Sequence, residues 1–327
     1  MRLVTARFVA QAVAVAARLG VADAIGDGEA TTATLAEATG AEPAMLERLL
    51  AALADFDLFR VGRHGWALSE AGQRLRAGVA GSVRDMVLFF ATPEHYAAWG
   101  GLETAVRSGE SGFRAVFGTD LWHFMADNPG LARVFDAAMA TTTAAKRAAI
   151  VASYDFAAFA TLADIGGGSG ALLCAILKDV PGLRGILFDR PDVIERARET
   201  IAAEGCADRC QAVGGSFFER VPPGADGYLM ASILHDWDDA RGAAILAVVR
   251  AAMPAHGRLL VCERILAPPG SAPDPGRVMD LEMMVMNEGG RERTAEEFAA
   301  LFARAGLRLV RILRIPGMHA LMETTLA

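Results

Sequence analysis

The stretch Asp164-Ile-Gly-Gly-Gly-Ser-Gly170 decides the fold of this 327-residue chain. It ends the apolar run that begins at Thr161 and precedes a helical stretch over residues 171–177, which is the strand–loop–helix context of a nucleotide-binding motif. Glycines let the backbone turn sharply and approach a ligand with no side chain in between. The loop therefore predicts a ligand site at the carboxyl end of a buried strand.

Short apolar runs and helical stretches alternate from about residue 160 onward. This alternation predicts an α/β fold with a Rossmann-like, doubly wound sheet that is mostly parallel. The further strands are predicted at residues 185–189, 228–232 and 257–263, and the helices at about 192–203 and 240–252.

The C-terminal segment predicts a departure from an all-parallel sheet. Thr294-Ala-Glu-Glu297 is a capping box that opens a helix to about residue 305. Residues 307–315 and 319–325 are predicted strands joined across Pro316-Gly317. So short a link requires the two strands to be antiparallel.

The N-terminal residues 1–92 predict a mostly helical winged-helix domain, with short amphipathic helices followed by a hairpin over residues 58–68. Such domains often bind DNA, but residues 1–90 hold nine arginines and no lysine against ten acidic residues. A DNA-reading wing usually has a basic stripe, so we predict a dimerisation or lid module instead. Residues 93–150 are predicted to form a helical linker or substrate lid, and residues 151–327 the catalytic domain.

The composition excludes several classes of partner. A net charge of −7 gives no electrostatic footprint for nucleic acid or an anionic membrane. We find no secretory signal pattern and no apolar run long enough to span a bilayer, and the four cysteines are scattered. These features predict a cytoplasmic protein with reduced, packed cysteines and no bound metal.

The glycine loop leaves the cofactor open when it is taken alone. Residues 166–170 fit the G-x-G-x-G pattern common for S-adenosylmethionine, and with Ala171 they also fit the dinucleotide pattern. Asp189 ends the next predicted strand, where a carboxylate can accept hydrogen bonds from both ribose hydroxyls. The pair predicts an adenosine ligand without choosing between the two cofactors.

His235 supplies the second chemical signal. It follows the predicted strand at 228–232, at the sheet edge where doubly wound folds hold ligands. A histidine with an ordinary pKa near 6.5 is mostly free base at pH 7 and can accept a proton. Glu263 is predicted to end the next strand, and Glu292 precedes a helix; either can orient the imidazole if both converge on it.

These motifs together resemble a known family. The glycine loop, Phe188-Asp-Arg-Pro191, Leu234-His-Asp-Trp-Asp-Asp239 and Gly289-Gly-Arg-Glu-Arg-Thr294 look like class I S-adenosylmethionine-dependent O-methyltransferases, of the plant caffeate type and the bacterial antibiotic-tailoring type. The resemblance covers nearly the whole chain. It implies a homodimer formed through the N-terminal domain, and a phenolic or similar hydroxyl of an aromatic small molecule as acceptor.

The resemblance also implies roles for individual residues. His235 is expected to be the general base, with Glu263 and Glu292 beside it. The expected cofactor contacts are Asp164, Gly166, Gly168, Gly170, Asp189, Arg190, Gly215, Ser216, Phe217, Phe218, Ser232, Asp236, Trp237, Met139 and Thr143. The expected substrate contacts are Trp122, His123, Met279 and Asn287.

One position departs from the family pattern. The family usually reads Gly-Asp-Phe-Phe where this chain reads Gly215-Ser-Phe-Phe218. The missing acid normally accepts a hydrogen bond from the adenine amino group. Ser216 is shorter and uncharged, so we expect weaker adenine binding.

Three other functions remain to be weighed. A family member that binds S-adenosylmethionine but catalyses hydroxylation or decarboxylation is disfavoured by the presence of His235, Glu263 and Glu292. The acidic balance of residues 1–90 argues against a winged-helix regulator that senses a small molecule. The C-terminal hairpin and the lack of a Tyr-x-x-x-Lys dyad argue against a nicotinamide oxidoreductase.

Overall fold

The computed structural model describes residues 2–268, 270–315 and 319–327, with the backbone alone at residue 2 and residues 142–145. The chain divides into two compact units, the first of Met1–Tyr96 with Asn128–Thr142 and the second of Ala97–Asp127 with Thr143–Ala327. The link predicted across Pro316-Gly317 lies outside the described residues.

The N-terminal part combines short helices with a small sheet. Its elements are α1 (Arg2–Arg18), α2 (Val21–Ile25), β1 (Glu29–Ala30), α3 (Thr32–Thr39), α4 (Pro43–Ala54), β2 (Phe59–Val61), β3 (Trp66–Leu68), α5 (Glu70–Gln73) and α6 (Arg84–Phe90). The predicted hairpin is present as the antiparallel pair β2–β3. The sequence reading missed β1, which pairs with the other side of β3 through only two residues.

Helix α4 illustrates why these residues form helices. Pro43 occupies its first turn, where no intrahelical N–H bond is lost, and the Glu42 side chain accepts a hydrogen bond from the Met45 backbone N–H. Leu46, Leu50 and Leu53 follow at helical spacing and are all buried. They pack with Trp66 and other apolar residues of the hairpin into the core of the first unit.

Five helices lead from the small sheet to the large one, as the predicted helical character of residues 93–150 requires. They are α7 (Pro93–Gly100), α8 (Leu102–Ser108), α9 (Gly112–Phe117), α10 (Leu121–Asp127) and α11 (Pro129–Ser153).

The remaining elements build the large sheet and the helices on its faces. They are β4 (Thr161–Ile165), α12 (Ala171–Asp179), β5 (Arg184–Asp189), α13 (Pro191–Ala203), β6 (Cys210–Gly214), β7 (Gly227–Ala231), α14 (Asp239–Ala252), β8 (Arg258–Leu266), α15 (Gly276–Met286), β9 (Arg293–Thr294), α16 (Ala295–Arg304), β10 (Leu307–Arg314) and β11 (His319–Leu326). Strands β6 and β9 and helix α15 were not predicted.

The large sheet has eight strands in the order β10-β11-β8-β7-β4-β5-β6, with β9 paired to β8. Strands β4 to β8 run parallel to one another. The antiparallel pairing of β10 with β11, and of β11 with β8, confirms the predicted C-terminal hairpin. The doubly wound prediction is confirmed as well.

Both faces of the sheet are covered, which explains why its strands are nearly continuous apolar runs. Alternate residues point to opposite faces: Leu162 and Leu187 join one buried cluster, while Ala163 and Phe188 join the other. All four cysteines are buried and free, as predicted. Among the described residues, no helix is both long and apolar enough to cross a bilayer.

Candidate active site

The crevice for a ligand lies where the strand order reverses. From β4 the chain goes to β5 and β6 on one side, and then returns to β7 and β8 on the other. Doubly wound sheets bind ligands at the carboxyl ends of the two strands that flank this point. Here those ends carry the glycine loop after Ile165 and the segment after Ala231 that leads to His235.

The glycine loop has the conformation that its composition predicts. Gly166, Gly168 and Gly170 all have positive φ, at +71°, +57° and +76°, which only glycine adopts without strain. A Cβ at Gly166 would lie 2.4 Å from Ile233 Cδ1, whereas nothing lies within 4 Å of a Cβ at Gly168. The loop is therefore packed at one end and open at Gly168.

Asp189 is tied to this open turn. Its Oδ2 accepts a hydrogen bond from the Gly168 N–H at 2.9 Å, and its Oδ1 accepts one from the Arg190 N–H at 2.7 Å. Burial raises the pKa of Asp189 even though both hydrogen bonds favour its charged form. Gly215, the residue after the neighbouring strand β6, donates its N–H to the Asp189 carbonyl at 2.9 Å.

Asp164 lies beneath the same loop. A Cβ at Gly167 would approach Asp164 Oδ2 to 2.6 Å, and neither carboxyl oxygen has a hydrogen-bond partner within the described part of the chain. Burial, with the nearby charge of Asp189, raises the pKa of Asp164 to about 7. An open turn beside two carboxyl groups fits a ligand that brings hydroxyl and amino donors, as S-adenosylmethionine does.

Aromatic side chains form a wall next to the loop. The rings of Phe217 and Phe218 meet the Trp237 ring edge-on, with centroids 6.1 and 4.8 Å away, and Trp122 stacks on Trp237 at 6.5 Å. Ser216 Oγ accepts a hydrogen bond from the Phe218 N–H at 3.3 Å. This wall offers flat apolar surface of the kind that holds planar rings.

His235 lies in a single 3₁₀ turn (Leu234–Asp236) directly after β7. Glu263 Oε1 holds the start of this turn, since it accepts hydrogen bonds from the N–H groups of Ile233 at 2.8 Å and Leu234 at 2.7 Å. Glu263 was predicted to end its strand, but β8 continues to Leu266. Pairing of residues 265–266 with β9 extends the strand.

Arg293 holds the other side of the turn, and the sequence reading missed it. Its guanidinium is fully buried and donates to the carbonyl oxygens of Leu234 at 2.8 Å and Trp237 at 2.7 Å. A third bond, of 2.9 Å, goes to Asp239 Oδ1. The arginine therefore fixes both ends of the segment that carries His235.

The two glutamates converge on one nitrogen of the imidazole, as the sequence reading envisaged. Glu292 Oε1 lies 3.3 Å from His235 Nδ1, and Glu263 Oε2 lies 3.8 Å from the same atom. His235 Nε2 lies 3.6 Å from Asp236 Oδ1. Both glutamates are almost completely buried, while the His235 side chain keeps 18% of its surface exposed.

The carboxylates change the charge of the imidazole. Burial alone works against the charged imidazolium, but the charges of Glu263, Asp236 and Glu292 outweigh it and raise the pKa of His235 to about 10. The prediction of an imidazole that is mostly free base at pH 7 is therefore wrong. Burial, with the charges of Glu263 and Glu292, raises the pKa of Asp236 to about 7 in spite of His235.

Asn287 orients Asp236. Its Nδ2 donates to Asp236 Oδ1 at 2.8 Å and also lies 3.7 Å from the sulfur of Met283. Its Oδ1 is buried and has no partner among the described residues, which leaves an acceptor for a further ligand. Met279 is half-buried on the same helix, α15.

Other predicted contacts are less closely placed. Met139 lies on α11 within the first unit, and the side chain of Thr143 is outside the described residues. The His123 side chain is 81% exposed, with its Nδ1 2.6 Å from Asp120 Oδ2. Ser232 lies at the end of β7 with a positive φ of 57°. The site roles of all four stay predictions.

A glycine cradle at the switch point, a neighbouring aromatic wall and an imidazole backed by two carboxylates define the class of protein. The site is that of a Rossmann-like enzyme that binds an adenosine cofactor. Comparison with known proteins gives the family.

The O-methyltransferase domain family matches residues 99–308, and the O-methyltransferase dimerisation domain matches residues 1–77. The chain belongs to this O-methyltransferase family. The enzyme is therefore an S-adenosylmethionine-dependent O-methyltransferase, and the resemblance seen in its motifs is confirmed.

Similar proteins cover nearly the whole chain. Phenazine O-methyltransferase PhzM of Lysobacter antibioticus is 41% identical over 96% of this chain and 91% of its own length. Mitomycin biosynthesis 6-O-methyltransferase of Streptomyces lavendulae is 40% identical over 93% and 87%. The crystal structure of NcsB1 from neocarzinostatin biosynthesis, in complex with S-adenosylmethionine and 2-hydroxy-5-methyl naphthoic acid, has a TM-score of 0.83 at 34% identity and covers 98% of this chain and 96% of that one.

Proposed function

We propose that His235 is the general base that takes the proton from an aromatic hydroxyl while the oxygen is methylated. The observation that carries this proposal is the convergence of Glu263 and Glu292 on His235 Nδ1. Two carboxylates on one ring nitrogen fix the orientation of the imidazole and stabilise its protonated form. The other nitrogen, Nε2, is then the atom that exchanges the proton.

The raised pKa of His235 suits this chemistry. A phenol has a pKa near 10, and His235 has a pKa of about 10. Proton transfer from phenol to imidazole is then close to thermoneutral, so the acceptor oxygen can carry negative charge without a large free-energy cost. Two routes lead to the reactive complex. In one, protonated His235 binds a phenolate; in the other, neutral His235 binds a phenol and takes its proton.

The two glutamates have different parts in this arrangement. Glu292 is the closer partner of Nδ1, at 3.3 Å. Glu263 uses one oxygen to hold the turn that carries His235 and presents the other to the ring. Both glutamates therefore raise the pKa of the imidazole, with Glu263 the larger charge effect, and Glu263 in addition fixes the position of the turn.

The cofactor cradle is assigned to the glycine loop and its neighbours. Gly166, Gly168, Gly170 and Asp189 would hold S-adenosylmethionine, with Asp164 below the loop. When bound, the cofactor supplies a methyl group on a sulfonium that a nucleophilic oxygen can attack. Placement of the reactants in line is the largest effect a protein can offer here, on the order of 7–11 kcal/mol at best.

The adenine ring is assigned to the aromatic wall of Phe217, Phe218 and Trp237, with Ser216 in place of the usual acid. Arg190, Gly215, Ser232 and Asp236 complete the cofactor side. Met139 and Thr143 stay candidates for it.

The acceptor is assigned as a hydroxylated aromatic small molecule of secondary metabolism. Two of the similar proteins are described with aromatic ligands, a phenazine and a hydroxylated naphthoic acid. In this chain, Trp122 stacks on Trp237 and Asn287 offers a free buried oxygen near Asp236. With Met279 they are the proposed acceptor contacts, and His123 is the least supported of the four.

We also propose a function for each part of the chain. Residues 1–92 are the dimerisation domain, residues 93–150 a helical linker or lid, and residues 151–327 the catalytic domain. Helix α1 exposes Leu3, Val4 and Phe8, and a matching surface on a second copy would cover them. We assign a homodimer on these grounds, and the four buried free cysteines support a location in the cytoplasm.

Substitution of the base tests the proposal. His235→Gln and His235→Ala should lose about 10²–10⁴-fold in turnover with a hydroxylated aromatic acceptor. Both should bind S-adenosylhomocysteine as the wild type does, because the glycine cradle is untouched. Labelled methyl transfer and calorimetry measure the two quantities. Wild-type turnover in His235→Gln would remove the histidine from the mechanism.

A further inference from the structure

A group of basic side chains lies close to Glu263 and Glu292, the glutamates next to His235. Lys146, on α11 within the second unit, lies with its Nζ 3.4 Å from Ser232 Oγ. Arg264 follows Glu263 on β8, with its Nε 3.6 Å from Glu292 Oε1. His319 is the partner of Arg264 across the β8–β11 ladder. None of these three side chains is used by the proposed reaction.

Two hydrogen-bond donors in this group have no acceptor among the described residues. The Arg264 side chain is only 13% exposed, yet its Nε and Nη1 have no hydrogen-bond partner among the described residues. The Lys146 Nζ makes only a long contact, with the Ser232 hydroxyl, within the described part of the chain. A buried donor to which no acceptor is supplied is costly, and a guanidinium has a planar fork of donors that matches a carboxylate. The missing partner is therefore an acceptor, and preferably an anion.

The electrostatic environment of this group also favours an anion as the missing partner. Burial, followed by the charges of Lys146, Arg264 and His235, lowers the pKa of His319 to about 3. His319 is thus neutral at physiological pH and adds no positive charge of its own. Burial also lowers the pKa of Lys146, against the raising effect of Cys262 and Glu263. A bound anion would stabilise the charged form of Lys146.

We propose that Lys146 and Arg264 bind a carboxylate next to His235. The inference rests on the proposed function, because it places the carboxylate on a molecule that lies in the same crevice. Two molecules can bring it: an aromatic acceptor that carries a carboxylate as well as its hydroxyl, and the methionine part of the cofactor. The shared chemistry is one carboxylate against one ammonium and one guanidinium.

A simpler role for the two cations is to balance the charges of Glu263, Glu292 and Asp236. That role predicts an effect on stability alone. The carboxylate site predicts that matched ligands with and without a carboxylate bind differently, and that the difference disappears when the cations are removed.

Equilibrium binding separates these cases. Calorimetry would compare 2-hydroxybenzoate with its methyl ester, and S-adenosylhomocysteine with 5′-methylthioadenosine, which lacks the amino acid part. The variants are Lys146→Met and Arg264→Met, with Arg264→Lys to restore the charge. Arg258→Met is the matched control, because Arg258 lies on the same strand, is 41% exposed and pairs with Glu323.

If an aromatic acceptor brings the carboxylate, Lys146→Met and Arg264→Met should each weaken 2-hydroxybenzoate about tenfold and leave the ester unchanged. If the cofactor brings it, each of the two variants should weaken S-adenosylhomocysteine about tenfold and leave 5′-methylthioadenosine unchanged. Arg258→Met should change neither pair. The inference is overturned if the wild-type protein binds 2-hydroxybenzoate no more tightly than its methyl ester, and S-adenosylhomocysteine no more tightly than 5′-methylthioadenosine. Because no methyl transfer is measured, a failed methylation assay would not affect this result.

Discussion

The two halves of the crevice are built in different ways. The cofactor half is mainly backbone: five consecutive residues from Gly166 to Gly170 shape it, with positive φ at three of them. The half around His235 is built from side chains on separate elements, with Glu263 on β8, Glu292 before β9 and Arg293 on β9. A short sequence motif is thus enough to form the first half, whereas the second needs the complete tertiary fold.

The electrostatics of the two halves also differ. Near the glycine loop, burial dominates and raises the pKa of Asp164 to about 7. Near His235, three carboxylates overcome the effect of burial and raise the pKa of the imidazole to about 10. Burial in the first half therefore favours the neutral form of Asp164, whereas the carboxylates of the second half favour the charged form of the imidazole.

The largest effect is expected at Arg293, the residue that holds the His235 turn together. Arg293→Met leaves the Trp237 carbonyl without its donor and the Leu234 carbonyl with only the 3.4 Å bond from the Trp237 N–H, and it should cost about 3 kcal/mol in the free energy of unfolding. Arg291→Met is the control, since Arg291 is 40% exposed in its ion pairs and should cost less than about 1 kcal/mol. Urea titration measures both. Equal stability of the two variants would show that the turn does not depend on Arg293.

Next in size is the cofactor half, tested at Gly168. Gly168→Ala and Gly118→Ala both place a methyl group at positive φ with nothing within 4 Å, so each should cost about 1–2 kcal/mol of stability. Gly118 ends α9. Only Gly168→Ala puts the methyl group into the open turn, and it should weaken S-adenosylhomocysteine about tenfold, or 1.4 kcal/mol. If calorimetry gave Gly168→Ala and Gly118→Ala equal affinities for S-adenosylhomocysteine, the ligand would not bind at this turn.

A pH profile sharpens the role of Glu292. The negative charge of Glu292 raises the pKa of His235, so Glu292→Gln should lower that pKa by about one unit. The acid limb of kcat/KM should move to lower pH by the same amount, because the free base then persists in more acidic solution. The exposed neighbour Glu296 provides the control variant, Glu296→Gln, whose profile should match the wild type. An unmoved acid limb in Glu292→Gln would separate this carboxylate from the base.

The smallest expected effect concerns adenine. Ser216→Asp restores the acid usual in the family and should strengthen S-adenosylhomocysteine binding by about 1 kcal/mol, a typical hydrogen-bond increment. Asp can still accept the Phe218 N–H bond that Ser216 accepts, so the turn should be retained. Ser216→Ala removes that acceptor and shows how much the turn itself contributes. Unchanged affinity in Ser216→Asp would mean that the aromatic wall alone holds the adenine.

Local signals in the sequence predicted much of the fold. The capping box at Thr294 is present, with both reciprocal hydrogen bonds to Glu297, because it depends on residues three apart. Apolar runs located six strands of the large sheet for the same reason. Strand β6 was missed because only Cys210 of its five residues is buried, so its apolar pattern is weak.

The site was predictable to the extent that it follows strand ends. The placement of His235 and Glu263 at one sheet edge follows from the sheet topology, whereas Glu292 beside His235 was implied by the family resemblance alone. The contacts of Arg293 and the positions of Lys146 and Arg264 do not, since they depend on side chains that meet across distant elements. The pKa of His235 was mispredicted for the same reason, because three carboxylates at under 4 Å cannot be counted from one sequence.

An NMR titration of the His235 imidazole, in protein without added ligand, measures the raised pKa of His235 directly. His235→Gln identifies the resonance. The carboxylates around the ring predict that His235 is still protonated at pH 8. A midpoint near 6.5, the ordinary value for histidine, would contradict this prediction.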